Sequence, residues 1–448
     1  MRALAELLID LGWQVSGSDR QPPTPTIFAM QKRGLQVHQG HHDRYLSPDV
    51  DVLVHSPAVG PQNPERQRAE GLNIPVLSYS EMLGYLMQTR RGISIAGTHG
   101  KSTTSAMVAS ILTDAGLSPS VVIGAELCGS QRSGWAGRGD LFVVESCEYR
   151  RSFLDLRPQY AAVLGIEGDH FDYFCDLDDL RRAFDEFAAR VADDGILLIN
   201  ADCRQAAALA ETAKANVITF SQNPGAHWWA ADLRPTASGT RFRVFQQGEF
   251  FAECSLPMPG RHNVMNALAA IALSHYAGVS STKIREGLRD FPGVRRRFEN
   301  IGSWRGMTLI DDYAHHPTAV RATLEMTRQQ FGRRRIWCAF QPHQVSRTQA
   351  LMKEFAASFA AVDEVLVAPI FAAREEIDDE PETIGRELAS RIADRGQNSR
   401  FCLSLDRVRS TLEDEARPGD VLITLGAGDV NRIHHEFTRR LQRNHPRR

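Results

Sequence analysis

Met1, Leu4, Leu7, Leu8 and Leu11 recur three and four residues apart, the period of a helix with one apolar face. Gly12 stands where a helix-ending glycine belongs. The next apolar residues, 13–16, read as a strand, so the chain begins inside a helix with no strand before it. Further strands are predicted at 51–55 and 75–77, then a helix carrying Met82, Leu83, Tyr85 and Leu86. Beyond a polar boundary at Thr89-Arg90-Arg91, a strand at 92–96 meets a glycine loop and a helix over about 102–115. Strands follow at 141–144, 161–166, 196–199 and 217–220. From Trp228 to Pro257 the apolar period shortens to two, with 241–245 and 249–252 flanking a Gln-Gln-Gly turn, which predicts an antiparallel segment. An Ala-rich helix over 262–277 closes at Gly278. After Arg295, strands at 307–310, 336–340, 364–367 and 421–425 are each followed by a helical stretch. Short apolar strands alternating with helices predict an α/β protein with mainly parallel, doubly wound sheets.

With 448 residues the chain exceeds what one core usually supports, so two to three domains are expected, and the element pattern divides it at 1–88, 89–294 and 295–448. A net charge of -2 supplies no electrostatic attraction for nucleic acid or an anionic membrane. The local run Arg295-Arg296-Arg297 reads either as an anion site or as a solvated face. Seven scattered cysteines without a Cys-x-x-Cys pair suggest neither a disulfide framework nor a zinc knuckle, and fit a reducing cytoplasm. No apolar run reaches the roughly 18 residues that span a bilayer and no signal peptide is visible, so a cytoplasmic location is expected. The basic tail 439–448 is expected to fray.

Candidate chemistry starts at Gly97-Thr98-His99-Gly100-Lys101-Ser102-Thr103. A strand, a glycine loop, Lys-Ser and a helix together form the context a phosphate-binding loop needs. Glycines let backbone N–H groups approach phosphate, and the helix start adds partial positive charge. Lys101 is placed to neutralise β/γ oxygens of ATP, and Ser102 to ligate Mg²⁺. Ile95 replaces the extra glycine of the common pattern, so the loop is a shorter variant.

Glu145 ends one apolar strand and His170 follows another, at the sheet edge where α/β ligands bind. The two are candidate metal groups; a loop carboxylate and a solvated imidazole are the plain alternative. Asp311-Asp312-Tyr313-Ala314-His315-His316-Pro317 offers metal ligands, acid/base groups, a substrate clamp or an ordinary helix start. Gly426-Ala427-Gly428 opens like a dinucleotide fingerprint, but Asn431 occupies the third glycine's place.

Taken together, the phosphate loop, Glu167-Gly168-Asp169-His170, Gly260 to Ala267 (GRHNVMNA), Arg296-Arg297-Phe298 and the Asp311–Pro317 motif resemble the Mur ligase family, in order and over nearly the whole chain. Gln341-Pro342-His343 with Ser346-Arg347-Thr348 is similar to its alanine-adding branch. The resemblance implies three domains, binding in turn a UDP-sugar, ATP and an amino acid. It implies ATP- and Mg²⁺-dependent ligation of L-alanine to the carboxylate of UDP-N-acetylmuramate through an acyl phosphate, in peptidoglycan precursor synthesis. By the same resemblance Lys101 and Ser102 hold phosphates and Mg²⁺, and Glu145 and His170 hold metal. His262, Asn263 and Asn266 lie near adenine, Asp312 near ribose, and Arg297 near the γ-phosphate. His315 and Arg347 position alanine, and Ser18, Asp19, His55 and Ser56 meet the UDP moiety.

Three departures from the family pattern stand out. The family opens with a strand and a Gly-rich turn, and this chain starts just after them, so a start further upstream is expected. Gln344 stands where the family has an arginine, which predicts weaker alanine binding or another amino acid. Ser146-Cys147-Glu148-Tyr149-Arg150-Arg151 partly reverses an acidic stretch, and no lysine lies between Lys101 and Lys214 to serve as the carbamylated lysine of some siblings. Two rival readings are a muropeptide-recycling ligase that adds a tripeptide and a non-catalytic nucleotide-binding protein.

Overall fold

The apolar run Arg91–Ala96 is buried along all but its first residue, as a central parallel strand must be when helices cover both faces. The structure, a computed structural model, describes residues 1–170, 173–373, 375 and 381–444, with side chains to Thr438. Arg91–Ala96 lies inside a ten-stranded sheet, between Tyr160–Val163 and Leu141–Glu145, parallel to both. One flank continues through Ile196–Asn200 and Asn216–Ser221 into an antiparallel meander of Trp228–Thr236, Gly239–Gln246 and Glu249–Leu256. The other continues through Ser120–Val122 to Gly134–Trp135. Helices Lys101–Asp114 and Arg261–Tyr276 carry long runs of buried small and aliphatic residues, because they pack on each other as well as on the sheet. This sheet and its helices form the central unit.

A second, six-stranded sheet runs Glu299–Trp304, Met307–Asp312, Val421–Leu425, Ile336–Phe340, Glu364–Val367, Asn398–Phe401 and forms the C-terminal unit. Only its first pair is antiparallel. The N-terminal region holds two separate parallel pairs, Ser16–Asp19 with Gln36–Gln39 and Leu53–His55 with Val76–Ser78. The architecture is α/β with mainly parallel sheets and an antiparallel addition. Among the described residues, no helix is long and apolar enough to cross a membrane.

Several elements depart from the pattern reading. The strand expected at 13–16 forms instead at Ser16–Asp19: Gly12, with φ +85°, ends the helix, Trp13 N–H still donates back to Leu8 O, and pairing with the neighbouring strand begins only where Val15 O accepts from Gln36 N. Ser-Gly-Ser-Asp carries no apolar alternation, so the strand leaves no hydrophobic trace. Gln36–Gln39, Glu299–Trp304 and Asn398–Phe401 are half-exposed and mostly polar, and escape notice for the same reason. The tail expected to fray from Arg439 is helical through Asn444, within Arg432–Asn444, which Ile433 and Phe437 anchor against Trp304. Residues 445–448 of that tail lie outside the described residues.

His434 on this last helix makes acid stability measurable. It is 1% exposed, and its Nε2 is shared between Ile310 O at 3.1 Å and Thr424 Oγ1 at 2.7 Å. Burial pushes its imidazole down to about 4. An unfolded histidine takes its proton near pH 6.5, so between about 6.5 and 4 the unfolded chain binds protons the folded chain refuses, and stability falls with pH. Urea unfolding of the parent should lose about 2–3 kcal/mol more than His434→Gln between pH 7 and 4.5. Equal losses would refute the assignment.

Candidate active site

At the end of Arg91–Ala96 the chain enters the phosphate loop through Gly97, with φ +129°. A Cβ there would sit 3.0 Å from Gly165 O and Leu164 N, so only glycine lets the loop lie on the neighbouring strand end. Thr98 pins the loop: its N–H donates to Gly165 O (2.9 Å), its hydroxyl donates to Glu167 O (3.1 Å) and accepts from Glu167 N (2.9 Å). Gly100, φ +82°, precedes helix Lys101–Asp114, whose first turn has no side-chain cap and so leaves its N–H groups for an anion. A Cβ at Gly100 would meet Asn266 Oδ1 at 2.3 Å. Strain at a left-handed position costs about 1–3 kcal/mol before this clash is counted. Gly100→Ala should therefore weaken nucleotide binding at least about tenfold in titration calorimetry, without loss of helical circular dichroism. Parental affinity would refute this reading of the loop.

Side chains from several elements of the central unit meet at this loop. Ser102 Oγ donates to Glu145 Oε1 (3.0 Å), and Glu145 Oε2 accepts from Gly124 N (2.6 Å). Lys101 Nζ, half-enclosed, donates to Gly97 O (2.6 Å) and pairs with the fully buried Glu148 at 2.9 Å. Burial alone would lower the Lys101 ammonium and raise the Glu148 carboxyl; their mutual attraction outweighs this, so Lys101 is shifted up and Glu148 down. His170 was expected, with Glu145, to hold one or two Mg²⁺. It is placed on Glu148, Nε2 to Oε1 3.7 Å, against the Tyr149 ring, with φ +57°.

The C-terminal unit closes over the same place. Arg297 lies on the Tyr313 ring and points Nη2 at Ser102 Oγ, 3.4 Å away. Its neighbour Arg296 donates to Gly426 O (2.6 Å), so the first glycine of the weak fingerprint serves an intra-unit contact. Arg347, 4% exposed, places Nε and Nη2 at 2.9 and 2.6 Å from Asp169 Oδ1. This buried ion pair joins the two units. Arg347 Nη1 also meets His343 Nδ1 (3.1 Å), whose ring lies 5.6 Å from that of His315. His315 Nδ1 bonds Tyr313 O (2.9 Å); burial, then Arg347, keeps its imidazole well below its ordinary range. Asp312, expected near ribose, accepts backbone N–H groups from Phe298 (2.7 Å) and Ala314 (2.8 Å), and so organises the turn that carries Arg297 and His315. Gln344, φ +70°, leads into helix Val345–Ala350 and donates its N–H to Phe371 O.

The remaining sequence candidates divide in two. Asn266 lies against Gly100 and reaches Asn263 (3.4 Å), which donates to Pro259 O (2.8 Å). His262 is lowered by burial, then by nearby His99, to about 4. These three sit at the start of helix Arg261–Tyr276, beside the loop. Ser18, Asp19, His55 and Ser56 lie at strand ends in the N-terminal region. Ser18 Oγ donates to Glu65 (2.6 Å) and meets His41 Nδ1 (2.8 Å); Asp19 accepts from Gln21 N (2.9 Å). His55 Nδ1 meets Ser56 O (3.0 Å), and Ser56 Oγ accepts from Ala58 N (3.2 Å). Arg150 Nη1 donates to Pro57 O (2.8 Å), tying that region to the central unit.

Sequence reading assigned no role to Glu148, Asp169 or Glu167, and left His316 among the open readings of the Asp311–Pro317 motif. Glu148 lay in a stretch read only for its changed charge. The available signal was the density of ionisable residues in Glu167-Gly168-Asp169-His170, directly after an apolar strand.

Family comparison covers all three regions. Residues 1–91 match the Mur ligase family catalytic domain, 95–274 the Mur ligase middle domain and 296–428 the Mur ligase glutamate ligase domain. The chain is 43% identical to the UDP-N-acetylmuramate–L-alanine ligase of Desulfitobacterium hafniense over 435 residues, 97% of this chain and 96% of the relative. It is 39% identical to the protein of that name from Acidithiobacillus ferrooxidans, covering 96% and 93%. The crystal structure of UDP-N-acetylmuramate–alanine ligase from Thermotoga maritima superposes with TM-score 0.82 at 25% identity, covering 99% and 96%. A murein peptide ligase from Psychrobacter arcticus gives 0.73 at 25% identity, covering 98% and 96%. On these matches the chain belongs to the Mur ligase family.

Proposed function

We propose that this chain uses ATP to join L-alanine to the carboxylate of UDP-N-acetylmuramate, releasing ADP and phosphate, for peptidoglycan precursor synthesis. One observation carries the reading: the phosphate loop is faced by acidic strand ends from its own unit and by Arg297 from the C-terminal unit. A triphosphate and an anionic acceptor can thus be enclosed together. The names of the relatives point to the same reaction.

Ser102 and Glu145 suit Mg²⁺, since a hydroxyl and a carboxylate 3.0 Å apart are hard oxygen donors. Bound there, the ion would supply charge compensation between a carboxylate and the terminal phosphate. Lys101 neutralises phosphate oxygens, and Arg297 meets charge on the γ-phosphoryl as the sugar carboxylate oxygen bonds to phosphorus and ADP leaves. The acyl carbon then accepts the alanine nitrogen, and phosphate departs. His315, kept neutral by burial, positions the alanine amine, which must attack as the free base. Arg347 holds that side of the site. His262, Asn263 and Asn266 border the adenine end, with Asp312 fixing the turn beside the ribose. His170 stands next to the metal groups through Glu148. Ser18, Asp19, His55 and Ser56 receive the UDP moiety.

A phosphate-release assay with the full chain, ATP and Mg²⁺ tests this. Release should require both UDP-N-acetylmuramate and alanine. Release driven by a tripeptide and not by alanine would transfer the chain to the peptide-adding branch, and release without the sugar nucleotide would end the proposal.

A further inference from the structure

His99, Glu167 and His316 each present one ligand atom, all within 4.8 Å of one another. None of them belongs to the Ser102–Glu145 pair. His99 stands in the phosphate loop, Glu167 follows Tyr160–Val163, and His316 immediately precedes helix Pro317–Phe331 of the C-terminal unit. His99 Nε2 lies 3.5 Å from Glu167 Oε2, and His316 Nδ1 lies 3.8 Å from the same oxygen. Both ring nitrogens are buried and have no hydrogen-bond partner.

The tautomer of His316 is set by its other nitrogen. His316 Nε2 faces Gly168 O at 3.2 Å, and a carbonyl can only accept, so Nε2 carries the proton and Nδ1 keeps its lone pair. Thr318 Oγ1 donates to Glu167 Oε2 at 2.7 Å and holds the carboxylate in place. A metal-binding imidazole is oriented in this way, with its far N–H on a carbonyl and a hydroxyl steadying the neighbouring carboxylate. His316 is 5% exposed, so water has little access to the lone pair. A lone pair on buried His316 and an anionic oxygen of half-exposed Glu167, turned towards each other, favour a cation between them, and the open side offers it a path in. Two imidazoles and one carboxylate are the ligand set of a zinc-class ion, whereas Mg²⁺ prefers oxygen alone.

We propose that His99, Glu167 and His316 bind one zinc-class divalent ion, which fastens the C-terminal unit to the phosphate loop. The competing cation is a proton on His99, which would pair with Glu167 but leave the His316 lone pair unused. His316 itself takes a proton only near pH 4, because burial and then His99 disfavour its charge.

The test uses the full chain freed of metal by chelation, with excess Mg²⁺ present to fill oxygen-only sites. Equilibrium dialysis against Zn²⁺ and the visible band of Co²⁺ read binding directly, independent of any turnover. One ion per chain is expected, retained by Glu145→Ala and weakened at least about tenfold by His316→Gln and Glu167→Gln. Thr318→Val keeps all three ligands and should weaken binding about tenfold, which decides the matter should a ligand variant fail the circular dichroism check. Zn²⁺ should also raise the melting temperature of the parent and not that of His316→Gln. No stoichiometric ion, equal binding by parent, His316→Gln and Thr318→Val, or loss in Glu145→Ala with retention in His316→Gln would overturn the proposal.

Discussion

Lys101→Ala is expected to abolish alanine- and sugar-dependent phosphate release, with turnover lower by about a thousandfold or more. The ammonium sits at the mouth of the phosphate loop and is the nearest cation to Glu148. Its loss removes charge from developing phosphate oxygens. It also strands a fully buried carboxylate whose remaining ring neighbour is the His170 imidazole, Nε2 to Oε1 3.7 Å. Removing one partner of a buried pair costs about 3–5 kcal/mol, so lost activity alone would not separate chemistry from damaged folding. Lys101→Ala combined with Glu148→Gln resolves this. The second change neutralises the stranded acid, so urea stability should return towards the parent while turnover stays low. Single-turnover phosphate release reads the chemical step without product release. Coupling within tenfold of the parent in either variant would remove Lys101 from the mechanism and with it the proposed role of the loop.

How much of this site was legible depends on which interactions leave a linear trace. The loop did, because strand, glycines, Lys-Ser and helix are contiguous and each has a local reason. Gly97 and Gly100 have left-handed backbones against neighbouring atoms, and Lys101 starts the helix. Glu145 was legible because a polar residue ending an apolar strand lies at the ligand edge of a parallel sheet. The pairing of Glu148 with Lys101 joins positions 47 apart, and that of Asp169 with Arg347 joins positions 178 apart. No spacing rule predicts which acid a given cation will choose across such distances. The motif Asp311 to Pro317 shows the same limit. Its composition left metal ligand, clamp and helix start open, and the structure gives its residues different tasks. Asp312 takes up backbone N–H groups, His315 faces His343, and His316 meets Glu167. In the fold, buried strands were readable from apolar runs, whereas edge strands such as Ser16–Asp19 were not, since their backbone pairing demands no apolar side chain.

Asp169→Asn should produce the second large effect, through the joint between units. Asn keeps the shape of the carboxyl group and deletes its charge. Arg347, 4% exposed and holding Nε and Nη2 on Asp169 Oδ1, is left as a buried cation without a counter-ion. The expected cost is about 3–5 kcal/mol, taken either as global stability or as detachment of the C-terminal unit. Since Arg297 and His315 reach the loop only while that unit is docked, kcat/KM should fall on the order of a hundredfold even where the protein stays folded. The pH dependence separates an ion pair from a simple packing defect. Arg347 is the main neighbour that offsets the effect of burial and holds the Asp169 carboxyl well below the usual carboxylate range. A depressed folded value means the stabilisation is fully present above the unfolded value, about 3.9, and is lost only as pH falls further. With Arg347 as the partner, the stability gap between parent and Asp169→Asn should therefore be equal at pH 8 and pH 5 and shrink only below about 4, histidines remote from Asp169 cancelling in the difference. A gap that widens as pH falls from 8 to 5 would mean that a protonating histidine, not Arg347, is the partner that matters. Asp169→Leu with Arg347→Met supplies the converse: an apolar pair of similar volume should recover most of the stability and little of the activity, because the arginine that holds the alanine side of the site is gone.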